Sequence, residues 1–262
     1  MIRLFIFILL SFPSLLLAQT SLLLNGHAHN DYLHKCPLLD ALEHGFFSVE
    51  VDIYYENGSF IVAHIKTGIR KKNTLERLYL EPLRERVIAS DGKVYAHGSL
   101  EFELMLDLKG GWSGAQIDSL ERLVMRYEKN FTVYEDGIKS PRAVKIVLSG
   151  GNGNFNALNH NPRYFSIDGG LGDFNSPLDS TIICRTSASF KSHFKWRGIG
   201  EMPDEERIQL REYVAHAHAT GRKIRFWAAT NRERVWKELL DAGVDWVNVD
   251  KLEKFRKFYV SY

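Results

Sequence analysis

Short apolar runs alternate along the chain with stretches whose apolar residues recur every three or four positions, and this pattern predicts βα units around a parallel sheet. Eight runs read as strands: Leu22–Gly26, Phe47–Asp52, Glu103–Leu108, Val144–Ser149, Tyr164–Ile167, Thr181–Arg185, Lys223–Ala228 and Trp246–Asp250. Helices are predicted at Pro37–His44, with Pro37 at its start and Gly45 at its stop, and at Ala115–Glu128, Asp204–Thr220 and Arg232–Ala242. A further run, Phe60–Ala63, joins the second strand across Glu56-Asn57-Gly58, a hairpin signal that brings His64 back over the strand ends. Eight parallel strands with interleaved helices predict a (β/α)8 TIM barrel in one domain, residues 19–262. Helical spacing is weak around the fifth and sixth strands, so irregularity is expected there.

Composition narrows this little. The 262 residues suit one α/β barrel, and 45% hydrophobic with 25% charged residues is that of an ordinary globule. A net charge of +2 gives no bulk electrostatic reason for a nucleic-acid or anionic-membrane partner, and a monomer is expected. The N-terminus reads differently. Met1-Ile2-Arg3, an apolar run from Leu4 to Leu17 and the small Ala18 match a secretory signal peptide; the run is short for a membrane span, and an uncleaved N-terminal anchor is the alternative. On that reading Met1–Ala18 is removed, no integral span remains, and the protein is exported, periplasmic or secreted. The two cysteines, Cys36 and Cys184, make no disulfide framework, and a bridge and two free thiols both stay open.

Chemistry-bearing residues gather at the predicted strand ends. Glu50 and Asp52 are two apart on one strand, so both point to one side, and two carboxylates so placed repel unless a cation or proton lies between them. Asp107 and Lys109 repeat that spacing on the third strand. Three carboxylates from neighbouring strands suit one hard divalent cation, Mg²⁺ or Ca²⁺. His27 and His64 end runs that flank the pair and are candidates for acid–base work. His29 and Asn30 are secondary candidates for a ligand and a substrate contact. The glycine-rich stretch Ser149–Phe155 follows the fourth strand, where its amides could contact phosphate.

These residues carry a resemblance. Gly26-His27-Ala28-His29-Asn30-Asp31-Tyr32, Glu50-Val51-Asp52, Val62-Ala63-His64 and Leu106-Asp107-Leu108-Lys109 resemble the superfamily of phospholipase-C-like phosphodiesterases. That group includes glycerophosphodiester phosphodiesterases and the sphingomyelinase D type. The likeness continues at Lys223–Ala228 and Gly243–Asp250, over essentially the whole chain after residue 18. It implies that His27 and His64 are catalytic, that Glu50, Asp52 and Asp107 hold the metal, that Lys109 lies against the phosphate, and that Trp227 walls its pocket. The implied substrate is a small-molecule or lipid phosphodiester. Three departures bear on the substrate. Ala28-His29 replaces the Arg-Gly usual after the first histidine of glycerophosphodiesterases, Asp107 replaces their glutamate, and Val249-Asp250 replaces their Thr-Asp. Bacterial phosphatidylinositol phospholipases C of this superfamily use an arginine where relatives hold a metal, and the carboxylates here argue against that variant.

Two other classes fit less well. An amidohydrolase-like metal barrel would use His27-Ala28-His29 and Asp250, but it needs histidines ending the fifth and sixth strands, where Asp168 and Arg185 stand instead. A non-catalytic binder of phosphate headgroups would not need both histidines with three carboxylates.

Overall fold

The computed structural model describes residues 21–96, 101–150 and 160–262. Eight of its strands pair in parallel, each with the next, and close on themselves: β1 (Leu23–Ala28), β2 (Phe46–Glu56), β4 (Phe102–Leu108), β7 (Val144–Ser149), β8 (Phe165–Gly169), β9 (Ile183–Ser189), β10 (Lys223–Trp227) and β11 (Trp246–Val249), which returns to β1. This is the expected (β/α)8 barrel. β3 (Ser59–Val62) pairs antiparallel with the far end of β2 across Asn57-Gly58, both with positive φ (50° and 81°), as a tight two-residue hairpin turn requires. β5 (Val133–Glu135) and β6 (Ile138–Ser140) form a small separate hairpin.

Helices follow the strands: α1 (Leu39–Glu43), α2 (Glu81–Ala89), α3 (Gly114–Met125), α4 (Phe190–His193), α5 (Asp204–Ala219), α6 (Glu233–Asp241) and α7 (Leu252–Ser261). α3 starts at a reciprocal cap, in which the Ser113 side chain accepts from the Gln116 amide and Gln116 accepts from the Ser113 amide. The expected irregularity lies after β8, where a 3₁₀ turn, Leu171–Asn175, stands in place of an α-helix, and after β9, where α4 is one turn long. α2, α7 and the β5–β6 hairpin went unread in the sequence. α2 buries only Leu83 and Val87 and carries Pro82 in its first turn, so its apolar stripe is faint. Among the described residues no helix is long and apolar enough to cross a membrane. Cys36 is exposed, Cys184 is buried, and neither is bonded.

Period-two alternation sorts each barrel strand into two faces. Val49, Val51 and Ile53 of β2, Leu104, Leu106 and Leu108 of β4, and Ile224 and Phe226 of β10 are buried in one large apolar cluster with the helices. The intervening residues face inward, and most are polar. A second, separate apolar cluster consists of Met105, Val147 and Cys184 alone.

One buried carboxylate organises the first loop. Asp31, fully buried, accepts from the Leu38 amide (2.5 Å) and the Tyr79 hydroxyl (2.8 Å), and so holds Leu38 at a left-handed φ of 64°. Burial, partly opposed by those two donors, raises the Asp31 acid to about 7 from 3.8. The folded chain therefore binds a proton that the unfolded chain has released between pH 4 and 7, and stability is lost as pH rises through that window, by on the order of 4 kcal/mol in all. Buried Asp168, raised to about 6, contributes in the same window, so the test is a difference: denaturant midpoints taken from pH 4.5 to 8 should lose less with rising pH in Asp31→Asn than in the parent; identical slopes in the two proteins would exclude Asp31 as a cause.

Candidate active site and metal centre

β2 and β4 run in register, with Ser48 opposite Glu103, Glu50 opposite Met105 and Asp52 opposite Asp107. Ser48, Glu50 and Asp52 share the inward face, and all three are buried. Oxygens of Glu50, Asp52 and Asp107 come within 4.8 Å of one another, as the spacing predicts. Lys109 reaches back over them, 2.5 Å from Asp107 Oδ2 and 3.0 Å from Asp52 Oδ2. Burial, with the charges of Glu50 and Asp52, pushes the Asp107 acid up despite Lys109.

Asp52 Oδ2 is a meeting point. It accepts from the Tyr32 hydroxyl (2.6 Å) and from His64 Nδ1 (2.9 Å) as well as from Lys109. Tyr32 also lies 2.8 Å from Asn30 Oδ1, which fixes the loop after β1. With Nδ1 protonated toward Asp52, His64 Nε2 has no hydrogen bond among the described residues, and the side chain is 54% exposed.

His27 is placed quite differently. β1 extends to Ala28, two residues beyond the predicted end, so His27 lies within the ladder between Ser48 and Asn248. Its side chain is wholly buried, with Nδ1 2.7 Å from Ser48 Oγ and Nε2 2.7 Å from Arg225 Nη1. An arginine only donates, so Nε2 accepts, and the ring is the neutral Nδ1–H tautomer. Burial, aided by Arg225 and Arg185, holds its pKa well below the usual value.

His29, the first residue past β1, reaches the mouth. Its Nδ1 is 2.6 Å from Asp250 Oδ1, and Asp250 is steadied by the Asn231 side chain and accepts nothing further from the ring. Burial lowers the His29 pKa, but the bond to Asp250 and the charge of Glu50 outweigh it and raise the pKa overall. Trp227 ends β10 at the same rim, 44% exposed.

Arg225, Asp168 and Glu103 were given no role from the sequence. Arg225 bonds Glu50 Oε2 at 2.6 Å, and its Nε donates to Ser187 Oγ at 3.1 Å. Ser187 in turn donates to Asp168 at 2.6 Å. Arg185 pairs with Glu103 and lies 3.2 Å from Ser48. Burial would raise the Glu50 acid, but the Arg225 guanidinium bonded to it holds it well below the usual range. Burial dominates at Asp168, raised to about 6. The signal for Arg225 was present: it sits between Ile224 and Phe226, whose outward burial turns it inward.

The carboxylates fit a divalent cation. The bonds above use only Glu50 Oε2, Asp52 Oδ2 and Asp107 Oδ2, and Asp52 Oδ1 is buried with no partner among the described residues. An orphaned buried oxygen on one of three clustered acids is a position a hard cation satisfies. Gly150, at a φ of +81°, leaves room for this: a methyl group there would overlap the Asp107 carboxylate and the Leu108 backbone. The rest of the glycine-rich stretch, 151–155, lies outside the described residues.

Residues 19–167 match the model of the AIM6-like phosphodiesterase domain. "Altered inheritance of mitochondria protein 6" of Eremothecium gossypii is 30% identical over 273 aligned residues, covering 88% of this chain and 68% of that protein. In fold, a glycerophosphodiester phosphodiesterase from Agrobacterium tumefaciens superposes with a TM-score of 0.55 at 14% identity, covering 90% of this chain and 99% of its own. The phosphatidylinositol-specific phospholipase C of Listeria monocytogenes does so at 0.52 and 14%, covering 94% and 96%. The relatives overturn the expectation of an exported protein: they are named for the inheritance of mitochondria, a process inside the cell, and a short apolar run behind one arginine is not specific to export. Residues 1–20 lie outside the described part of the structure. The domain match and the relative agree, and with its barrel shared in fold with the phosphodiesterases above, the chain belongs to the AIM6-like phosphodiesterase domain family.

Proposed function

We propose that the chain is a metal-dependent phosphoric diester hydrolase acting on a glycerophosphodiester or phospholipid-type substrate. The observation that carries this is the carboxylate triad with its orphaned Asp52 oxygen, flanked at the barrel mouth by two histidines that each rest on an aspartate. Glu50, Asp52 and Asp107 would hold one Mg²⁺ or Ca²⁺, which when bound supplies positive charge to a non-bridging phosphoryl oxygen. Lys109, fixed by two carboxylates, adds a second positive charge against the same phosphate as negative charge builds in the transition state. Asn30 and Trp227 border the mouth where the rest of the substrate would lie.

Proton transfer falls to His64 and His29. Each uses Nδ1 on a carboxylate, Asp52 or Asp250, which fixes the tautomer and leaves Nε2 for the attacking hydroxyl or the leaving oxygen. The attacking group is water or a hydroxyl of the substrate itself. His27, expected from the resemblance to be catalytic, has both nitrogens engaged beneath the triad, and its placement supports a positioning role: it accepts from Arg225 and so holds that guanidinium on Glu50. The amidohydrolase-like alternative finds no support at β8 and β9, whose inward residues include Asp168 and Arg185.

With Mg²⁺ or Ca²⁺ the purified chain should hydrolyse bis-p-nitrophenyl phosphate, and chelator should abolish turnover. Unchanged turnover in chelator and in both His29→Ala and His64→Ala would sink the assignment. His29→Ala and His64→Ala should each lower kcat/KM by roughly 10²–10⁴-fold. His27→Ala should instead raise the metal concentration needed for half-maximal rate while leaving the pH profile in place; loss of activity in His27→Ala with none in His29→Ala would reverse the roles. Independently of turnover, saturating Mg²⁺ or Ca²⁺ at about ten times its Kd should raise Tm by about 2–5 °C, and Asp52→Asn should lose that rise. Glycerophosphodiesters, inositol phospholipids and sphingomyelin assayed side by side would name the substrate.

A further inference from the structure

The overall charge of +2 conceals a local concentration at the mouth of the barrel. Between Glu56 and Glu76 there is no acidic residue, while Lys66, Arg70, Lys71 and Lys72 fall within seven positions. All four are exposed. They belong to the loop that begins just after His64, so the cations are carried on the rim that holds the site. Arg70 donates to the carbonyls of Thr67 and Ile69, which stiffens the loop around its 3₁₀ turn, Lys66–Gly68.

Aliphatic side chains stand among these charges. Ile65 is 57% exposed and Leu33, on the loop after β1, is 66% exposed. With Tyr32, His64, Lys35 and Ala63 they wall a cavity of about 430 Å³ that opens beside His64. Large aliphatic residues held out in water next to a run of cations, at the edge of a catalytic mouth, match the two attractions that bring a protein to an anionic lipid surface. A nucleic-acid surface would call for stacking aromatics beside the cations, and Tyr32, the aromatic residue in this wall, is already bonded to Asp52.

We propose that residues 33–35 and 65–72 dock this protein on an anionic phospholipid surface, so that the site takes its diester from a lipid headgroup entering the cavity beside His64. What happens to the headgroup rests on the phosphodiesterase reading above; the docking does not. The surface is legible only in three dimensions, because the two loops that share it are thirty residues apart and joined by β2 and β3.

Co-sedimentation of the full chain with phosphatidylcholine vesicles, with and without phosphatidylserine, tests this. Each cation near an anionic surface contributes about fivefold to partitioning, and burial of an exposed aliphatic side chain adds roughly tenfold. Binding should favour the anionic vesicles by at least tenfold and weaken steeply between about 0.1 and 0.5 M salt. Lys71→Glu with Lys72→Glu should lower it at least about twentyfold, and Leu33→Ser with Ile65→Ser should lower it while keeping the salt dependence. Turnover of soluble bis-p-nitrophenyl phosphate by the Lys71→Glu/Lys72→Glu protein should be unchanged. Equal binding to neutral and anionic vesicles, or binding indifferent to the charge reversals, overturns the proposal even where soluble diester hydrolysis persists. Docking without any diester hydrolysis would uphold the surface and reject the catalytic reading instead. A single-stranded oligonucleotide that displaces the protein from vesicles, with the same dependence on Lys71 and Lys72, would assign the patch to nucleic acid and overturn the lipid proposal.

Discussion

Carboxylates set inside a closed barrel cannot stay uncompensated, and that constraint shapes the whole interior. Burying an ion costs several kcal/mol unless an opposite charge and hydrogen bonds meet it. Glu103 meets Arg185, Glu50 meets Arg225, and Asp52 and Asp107 share Lys109. The four carboxylates Glu50, Asp52, Asp107 and Asp168 surround two fixed cations, Lys109 and Arg225, which leaves an excess negative charge that a divalent ion would balance. Such an interior adds little net stability. The apolar outer strand faces packed under the helices must supply it, which frees the inner face to be electrostatic and rigid.

The eight strands were legible because their outward residues are apolar whatever their inward residues do. What the sequence could not reveal was which inward charges meet. Arg185 and Glu103 lie 82 positions apart, and Arg225 and Glu50 lie 175 apart, so each pair reads locally as a stray charge in an apolar run. The placing of His27 and His29 turned on two residues of strand length. A strand ending at Gly26 puts His27 at the mouth, whereas one ending at Ala28 draws His27 into the ladder and hands the mouth to His29. Apolar periodicity does not resolve such an end, because the closing residues of β1 are a histidine and an alanine. Tyr32 was similarly hidden: its bond to Asp52 depends on a left-handed turn at Asn30 that composition alone does not announce.

Fold and chemistry separate cleanly here. The barrel superposes on a glycerophosphodiesterase and on a phosphatidylinositol phospholipase C at comparable scores, so the scaffold does not choose between them. The site combines features that the resemblance had set against each other, a full carboxylate triad and a barrel arginine bonded to one of its members. Arg225 leaves the second Glu50 oxygen outside its bond, so the two features coexist rather than exclude one another.

The β2–β3 hairpin carries one last implication. His64 reaches Asp52 because the strands pair residue for residue from Glu56 and Ser59 to Ile53 and Val62, with the Ala63 amide then bonding the Asp52 carbonyl at 3.2 Å. Side chains on such a ribbon alternate faces, so a slip of one residue in the pairing would turn His64 away from the barrel, while a slip of two would keep its facing. A change in the length of this arm therefore keeps the histidine on the site only where the turn absorbs it or the pairing slips by an even number.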